Sequence, residues 1–331
     1  MPDFSKVAVI GGGSWATALV KILSENNTSV GWYIRNKVIY EHLLQEGHNP
    51  NYLSGVEFDV SKLDLHTDIN KMTEQYSVLI IATPSFYLDS VLATLSVSLE
   101  NKVIFSAVKG IVPEKKVLVG AYLAEKFNVA EPLFGVIAGP CHAEEVALER
   151  LSYLTVASSN MTLVEQMKKK LACDYIQVSL SDDVIGAEYA ATLKNVYAIA
   201  VGIAHGLGYG DNFISVLISS SMREMKRFLN RVDKKKRNVN KSAYLGDLLV
   251  TAYSVFSRNR MLGNMIGKGY TVKAALMEMT MIAEGYYGAK TTHELCASFN
   301  GKFPILKFVY QILYEKGSAK KKMKVLSKLL D

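Results

Sequence analysis

Lys194 is the residue whose surroundings say most about chemistry in this chain. It lies in the middle of residues 186–201, an Ala-rich stretch with apolar residues on nearly every face. That is the pattern of a helix packed on all sides. Burying an ammonium disfavours its charged form, and a lysine tuned in this way accepts or donates protons near neutral pH. The alternative is a methylene stem that carries the ammonium out to water. Further clusters of reactive residues weigh against the alternative: Lys109-Gly110, Gly139-Pro140-Cys141-His142-Ala143-Glu144-Glu145, Gly246-Asp247, Ser257-Arg258-Asn259-Arg260 and Ala283-Glu284-Gly285. Asp247, Thr251, Ser254 and Arg258 recur at helical spacing. A continuous helix would make them one polar stripe, with Asp247 and Arg258 roughly 16 Å apart along its axis. If the helix breaks instead, Arg258 lies in a loop. Its planar guanidinium suits a phosphate, and Asn259 adds donors.

The elements that must position these groups are readable as strand-like apolar runs. They fall at residues 7–10, 29–34, 78–84, 102–107, 133–139, 154–157 and 175–178, alternating with helical segments. This alternation predicts a mostly parallel sheet covered on both faces. Gly11-x-Gly13-x-x-Ala16 follows the first run and opens a helix, the context that a dinucleotide-binding loop requires. Gly11 allows the tight turn, Gly13 lets a pyrophosphate approach the backbone, and Ala16 keeps the helix close to the strand. The helix N-terminus then offers unpaired N–H groups to phosphates. After the second strand an acidic residue would hold ribose hydroxyls, whereas an arginine accommodates a 2′-phosphate. The chain has Arg35 there, with Lys37 nearby, so the reading leans to NADPH/NADP over NADH/NAD, or to use of both. Stacking of Arg35 on the adenine is the alternative. From about Ser181 long helical stretches take over. The expected fold class is α/β: a Rossmann-type doubly wound sheet over residues 1–180, then an all-α domain over residues 181–331.

Composition narrows the classes. The 331 residues are 49% hydrophobic and 21% charged, as in a folded soluble protein. No apolar run approaches the length of a membrane span. The N-terminal segment enters a strand directly, without a signal-peptide layout. Cys141, Cys173 and Cys296 are odd in number and far apart, which fits neither a disulfide framework nor a metal site. The expectation is a cytoplasmic protein without metal. The net charge is +7, and residues 223–241 hold nine basic residues against Glu224 and Asp233. A second basic run occupies residues 320–324. Neither interleaves aromatics as a single-strand binder would, so no nucleic acid is expected. The runs read as solvated surface, with a weak lipid contact or attraction of anionic substrates as lesser readings.

In this order, Lys109-Gly110, Gly139-Pro140 with Ala143-Glu144-Glu145, Leu193-Lys194-Asn195, Gly246-Asp247-Leu248 and Ser257-Arg258-Asn259 resemble bacterial NAD(P)-dependent glycerol-3-phosphate dehydrogenase. The matches run from the Gly11 loop to Pro304-Ile305. The resemblance implies reversible reduction of dihydroxyacetone phosphate to sn-glycerol 3-phosphate, the backbone precursor of phospholipids. A ketone that receives a hydride must also receive a proton, and Lys194 is the expected donor, or acceptor in reverse. Lys109 would lie near the same carbonyl, and Asp247 would orient Lys194. A second ammonium and a carboxylate act on the lysine's proton affinity in opposite directions, and the sequence leaves their balance open. The substrate contacts implied are Lys109, Gly139, Cys141, Lys194, Asn195, Asp247, Thr251, Ser257, Arg258 and Asn259. Those to the cofactor are Gly11, Gly13, Ser14, Trp15, Ala16, Arg35, Lys109, Ala143, Arg258, Ile282 and Glu284. Oligomeric state is not fixed by these residues, and a homodimer is allowed.

Several positions depart from the family pattern. Ala16 stands where Gly is usual, residues 210–225 lack the common Thr-Arg-Gly, and residues 227–241 are unusually basic. Cys141 replaces a usual Ser or Thr, keeping the size but weakening the hydrogen bond. His142 reads as structural or solvent-facing rather than catalytic. Two competing readings stand beside this one. A 3-hydroxyacid or 6-phosphogluconate dehydrogenase would also pair such domains with a catalytic lysine, but Arg258-Asn259 and the early Lys109 argue against it. A nucleotide sensor would bind without turnover and tolerate loss of Lys194.

Overall fold

The computed structural model describes residues 3–26, 29–299 and 301–330. The chain forms two compact units, one made of Met1–Val108 and Val117–Val184, the other of Lys109–Lys116 and Ile185–Asp331. Each has its own buried apolar cluster. The short segment after Val108 is thus part of the second unit, although the sequence reading placed it in the first domain.

The first unit is built on eight strands: β1 (Val7–Ile10), β2 (Val30–Tyr33), β3 (Leu63–His66), β4 (Val78–Ile81), β5 (Val103–Ser106), β6 (Phe134–Ala138), β7 (Ser152–Ala157) and β8 (Ile176–Ser181). Their order is β3-β2-β1-β4-β5-β6-β7-β8. All neighbours pair in parallel except β6 and β7. Strands β1, β2, β4, β5 and β6 are buried along their whole length, which explains their unbroken apolar sequences. The helices of this unit are α1 (Ser14–Asn26), α2 (Lys37–Glu46), α3 (Ile69–Gln75), α4 (Ser85–Leu92), α5 (Val119–Phe127), α6 (Ala143–Ala147) and α7 (Met161–Leu171). β3 is a strand that the sequence reading did not anticipate. It is a half-buried, alternating Leu-Asp-Leu-His segment at the sheet edge.

The second unit is helical: α8 (Val184–Gly206), α9 (Asp211–Val232), α10 (Asp247–Tyr253), α11 (Arg258–Gly267), α12 (Val272–Glu278), α13 (Glu284–Ala297), α14 (Pro304–Leu313) and α15 (Ala319–Leu326). Its core is α8, buried at every position from Ala190 to Ala204. Helices α8 and α11 cross in backbone contact. A Cβ added at Gly202, Gly206, Gly263 or Gly267 would lie under 3.0 Å from a carbonyl oxygen of the facing helix. Gly202 and Gly206 on one helix, and Gly263 and Gly267 on the other, each sit one turn apart, so both carry a side-chain-free strip.

Glu224 ties α9 to α14. Its two carboxylate oxygens accept the N–H groups of Ile305 and Leu306, each at 2.9 Å, where α14 has unsatisfied donors. Burial pushes the Glu224 carboxyl up from 4.5 to about 7, against the opposing pull of those two N–H groups. The folded protein therefore binds this proton more tightly than the unfolded chain. The stability it contributes is complete below about pH 4.5 and falls as pH rises to about 7, by roughly 3 kcal/mol at most. Glu224→Gln should remove that slope. Melting of both proteins between those limits checks it, and parallel curves would show that folding leaves the Glu224 proton affinity unchanged.

Candidate functional site

In the first unit, the sheet changes its direction of growth between β1 and β4, and ligands bind at such points beyond the carboxyl ends of the strands. Gly11 follows β1 with φ +138°, and a Cβ there would sit 2.9 Å from the Ala82 carbonyl oxygen after β4. Only glycine meets both conditions. The loop is pinned from two further sides. Trp32 of β2 donates its indole N–H to the Gly11 carbonyl at 2.7 Å. Asn49, fully buried, donates its amide to the Gly12 carbonyl and to Thr17 Oγ1. Gly13 faces open space, and α1 begins at the next residue, Ser14. Trp15 is half-buried, and Ala16 is buried against the sheet side of α1.

Thr83 lies at the same edge, one residue beyond Ala82. Its hydroxyl is buried without a hydrogen-bond partner among the described residues. Such an atom marks a place where a ligand or water completes the bonding. Arg35 follows β2, exposed, with its guanidinium 6.0 Å from the centre of the Tyr87 ring. Gly139 ends β6 with φ +111°, and a Cβ there would meet the Tyr153 carbonyl oxygen at 2.8 Å. Cys141 is buried, and Ala143 opens α6. Sequence reasoning passed over Asn49 and Thr83. Nothing local distinguishes them, because their roles come from residues more than thirty positions away or on a neighbouring strand.

In the second unit, Lys194 is only 3% exposed. Its ammonium is ion-paired with Asp247 Oδ1, so the alternative of a stem reaching water does not hold. Asp247 is 2% exposed and is the first residue of α10, its own N–H already bonded to the Ser242 and Tyr244 carbonyls of the preceding turn. A single π-helical turn, Ser242–Gly246, precedes it, and such turns re-aim side chains at functional sites. The second carboxylate oxygen, Asp247 Oδ2, is buried with no hydrogen-bond partner among the described residues.

Beside the pair lies a bracket of amides. Asn195 donates its side-chain N–H groups to the Lys109 carbonyl at 2.8 Å and the Ala191 carbonyl at 3.0 Å. Its oxygen accepts from Asn259 Nδ2 at 2.8 Å. Asn259 Oδ1 in turn accepts the Gly285 N–H at 2.9 Å. One chain of bonds thus joins the 109–116 segment, α8, α11 and the start of α13. Both Asn195 donors bond to main chain, which gives this residue a bracing role. A Cβ at Gly285 would lie 2.5 Å from the Asn195 carbonyl oxygen, so α13 approaches α8 only because that residue is glycine.

The continuous polar stripe does not form. Helix α10 stops at Tyr253, Ser254 turns to extended backbone, and α11 starts at Arg258 with Ser257 as its cap. Ser254 Oγ accepts the Phe256 N–H, and Ser257 Oγ accepts the Arg260 N–H. These local bonds compete with helix continuation. Arg258 is consequently neither on the Asp247 helix nor in a loop. It opens a new helix, with one guanidinium N–H directed at Met281 Sδ at 3.4 Å, next to Ile282 and the approach to Glu284. Thr251 bonds its hydroxyl back to the Asp247 carbonyl at 2.6 Å. Among the described residues no group of His, Cys, Asp or Glu could hold a metal ion, and no helix is long and apolar enough to cross a membrane.

Comparison with known proteins covers almost the whole chain. A family model for the NAD-dependent glycerol-3-phosphate dehydrogenase N-terminus matches residues 6–164, and one for its C-terminus matches residues 183–324. Glycerol-3-phosphate dehydrogenase [NAD(P)+] of Lacticaseibacillus paracasei is 34% identical over 321 residues, 94% of this chain and 91% of the relative. The Clostridium botulinum protein of that name is 32% identical over 317 residues, 96% of this chain and 95% of the relative. The crystal structure of glycerol-3-phosphate dehydrogenase from Coxiella burnetii superposes with a TM-score of 0.89 at 28% identity, covering 98% of each chain.

Proposed function

The chain belongs to the NAD-dependent glycerol-3-phosphate dehydrogenase family, and from that premise we propose that it reduces dihydroxyacetone phosphate reversibly to sn-glycerol 3-phosphate, with Lys194 moving the proton. The observation that carries the proposal is the buried Lys194–Asp247 pair whose second carboxylate oxygen has no hydrogen-bond partner among the described residues. A buried ion pair alone is weak evidence of anything but cost. One left half-satisfied beside a rigid amide bracket is what a substrate hydroxyl or carbonyl would complete.

The first-unit loop fits a dinucleotide: the open face at Gly13, the start of α1 and the Thr83 hydroxyl, which has no hydrogen-bond partner among the described residues, all lie at one sheet edge. When bound, the nicotinamide supplies or takes the hydride. The protein's own part is proton transfer and orientation. In reduction, Lys194 gives a proton to the ketone oxygen as C2 gains the hydride, and in oxidation it takes that proton from the C2 hydroxyl. Asp247 Oδ1 holds the ammonium in place, and Oδ2 is the acceptor for a neighbouring substrate hydroxyl. Arg258 presents its fork to a phosphate. The site's burial keeps these charges unscreened, which strengthens each contact. The test is oxidation of NADPH and NADH by the wild-type protein with dihydroxyacetone phosphate. Tight cofactor binding without turnover would sink this reading in favour of another substrate. The product's use in phospholipid synthesis, and a cytoplasmic setting supported by three cysteines that are odd in number and far apart, are parts of the same proposal.

Cofactor choice rests on Arg35. Residues 33–37 contain no acid to hold ribose hydroxyls, and the Arg35 guanidinium is exposed at the strand end. Arg35→Asp should weaken NADPH binding by about tenfold or more, the loss of a charge-assisted phosphate contact, while NADH binding changes little. Equal losses for both cofactors in a fluorescence titration would refute the assignment.

A further inference from the structure

The helical unit contains a cavity that the proposed chemistry leaves unused. Its volume is about 1040 Å³, ample for a small molecule. Lys268, Lys273, Lys316 and Lys320 line it, and no Asp or Glu among the described residues does. All four lysines are exposed on its rim. Four ammonium groups with no carboxylate among the lining residues repel one another, and an entering anion relieves that repulsion. Ala319 and Lys320, the first residues of α15, and the Ser318 cap before them also line it, which adds a second source of positive potential.

Other lining residues have the opposite character. Leu276, Met277, Ile312 and Leu313 line the cavity too, and Met277 is 77% exposed, an apolar side chain held open to solvent. Three tyrosines also line the cavity: Tyr270, 49% exposed, adds ring surface to the lining, whereas Tyr286 and Tyr314 are engaged with each other. The Tyr286 and Tyr314 rings lie 5.0 Å apart, Tyr314 stacks on Tyr310, and the Tyr314 hydroxyl donates to the Tyr286 carbonyl at 2.6 Å. Tyr286 and Tyr314 are thus held in place by their own contacts. A flexible thioether among branched side chains suits a chain of methylenes.

We propose that this cavity is a second ligand site, taking an organic phosphate that carries an aliphatic chain. The phosphate meets the lysine rim, and the chain covers Met277 and its aliphatic neighbours. Octyl phosphate is the probe, titrated calorimetrically beside inorganic phosphate, octanol, and vesicles of phosphatidic acid in phosphatidylcholine. Octyl phosphate should bind at least about tenfold more tightly than inorganic phosphate, and the double variant K273E/K316E should weaken it by about tenfold or more. Met277→Glu, at an exposed position, should weaken it as well. Arg258→Ala, in the proposed substrate site, should leave it unchanged. Loss of binding in Arg258→Ala with no change in the lysine variant would overturn the proposal and assign the ligand to the substrate site. Equal affinity for inorganic phosphate would reduce the cavity to a bare anion site, and binding to vesicles alone would replace the ligand with a membrane surface.

Discussion

Replacing Lys194 with Ala should lower turnover of dihydroxyacetone phosphate by roughly 10²–10⁴-fold, the usual contribution of a positioned proton donor. NADPH binding should stay within about twofold, because the Gly11 loop lies in the other unit with its own supports. The variant carries a second effect. It strands Asp247, a carboxylate only 2% exposed, and breaking one side of a buried pair costs about 3–5 kcal/mol. Lost activity could then reflect lost folding. The double variant K194M/D247N separates the two, since replacing both charges with neutral groups of similar volume is close to neutral for stability. It should melt near wild type and still be inactive. A folded double variant that retains turnover within about tenfold of wild type would remove Lys194 from the proton transfer.

Gly202→Ala should destabilise the helical unit by about 3 kcal/mol, at the upper end of overpacking costs. The added methyl would meet the Arg260 carbonyl, a main-chain atom that cannot rotate away. Relief requires α8 and α11 to move apart, and that movement acts on α11's Asn259, which bonds to Asn195 of α8 at 2.8 Å. Catalysis should therefore suffer along with stability. Gly269→Ala is not a suitable control because its φ is +104°, whereas Gly210 has open space at its Cβ position and no positive φ. Gly210→Ala should cost less than about 1 kcal/mol. Chemical denaturation of the two variants checks the comparison, and equal losses would mean the helices do not touch as described.

Different parts of this molecule were readable from sequence to different degrees. Strands such as Val7–Ile10 and Val78–Ile81 announce themselves because burial on both faces demands continuous apolar residues. The edge strand Leu63–His66 is as short as those two but lacks their full apolar run, so its pairing with β2 is what makes it a strand. Lys194 stood out because an ammonium contradicts its apolar helix. The Gly11 loop stood out because its glycines are spaced by local geometry. The amide bracket could not be read, since Asn195 meets Lys109, Asn259 and Gly285 only through the tertiary fold. The same holds for the glycine strip, whose residues on α8 and α11 have meaning only in facing each other. The misjudged stripe after Asp247 had a local signal. Ser254 and Ser257 are residues that bond to their own backbone and so start or stop helices.

The amide bracket also bears on synthesis of the chain. Its bonds span 86 residues from Lys109 to Asn195, 64 from Asn195 to Asn259 and 26 from Asn259 to Gly285. Contacts so distant in sequence form late, after their loop-closure entropy has been met. A ribosome delivers residues in order, so a nascent chain holds Lys194 in an unfinished frame until Gly285 has emerged. The eight-stranded sheet, complete at Ser181, has all its strands long before then. The dinucleotide loop is thus made first, and the lysine that the chemistry needs is locked last.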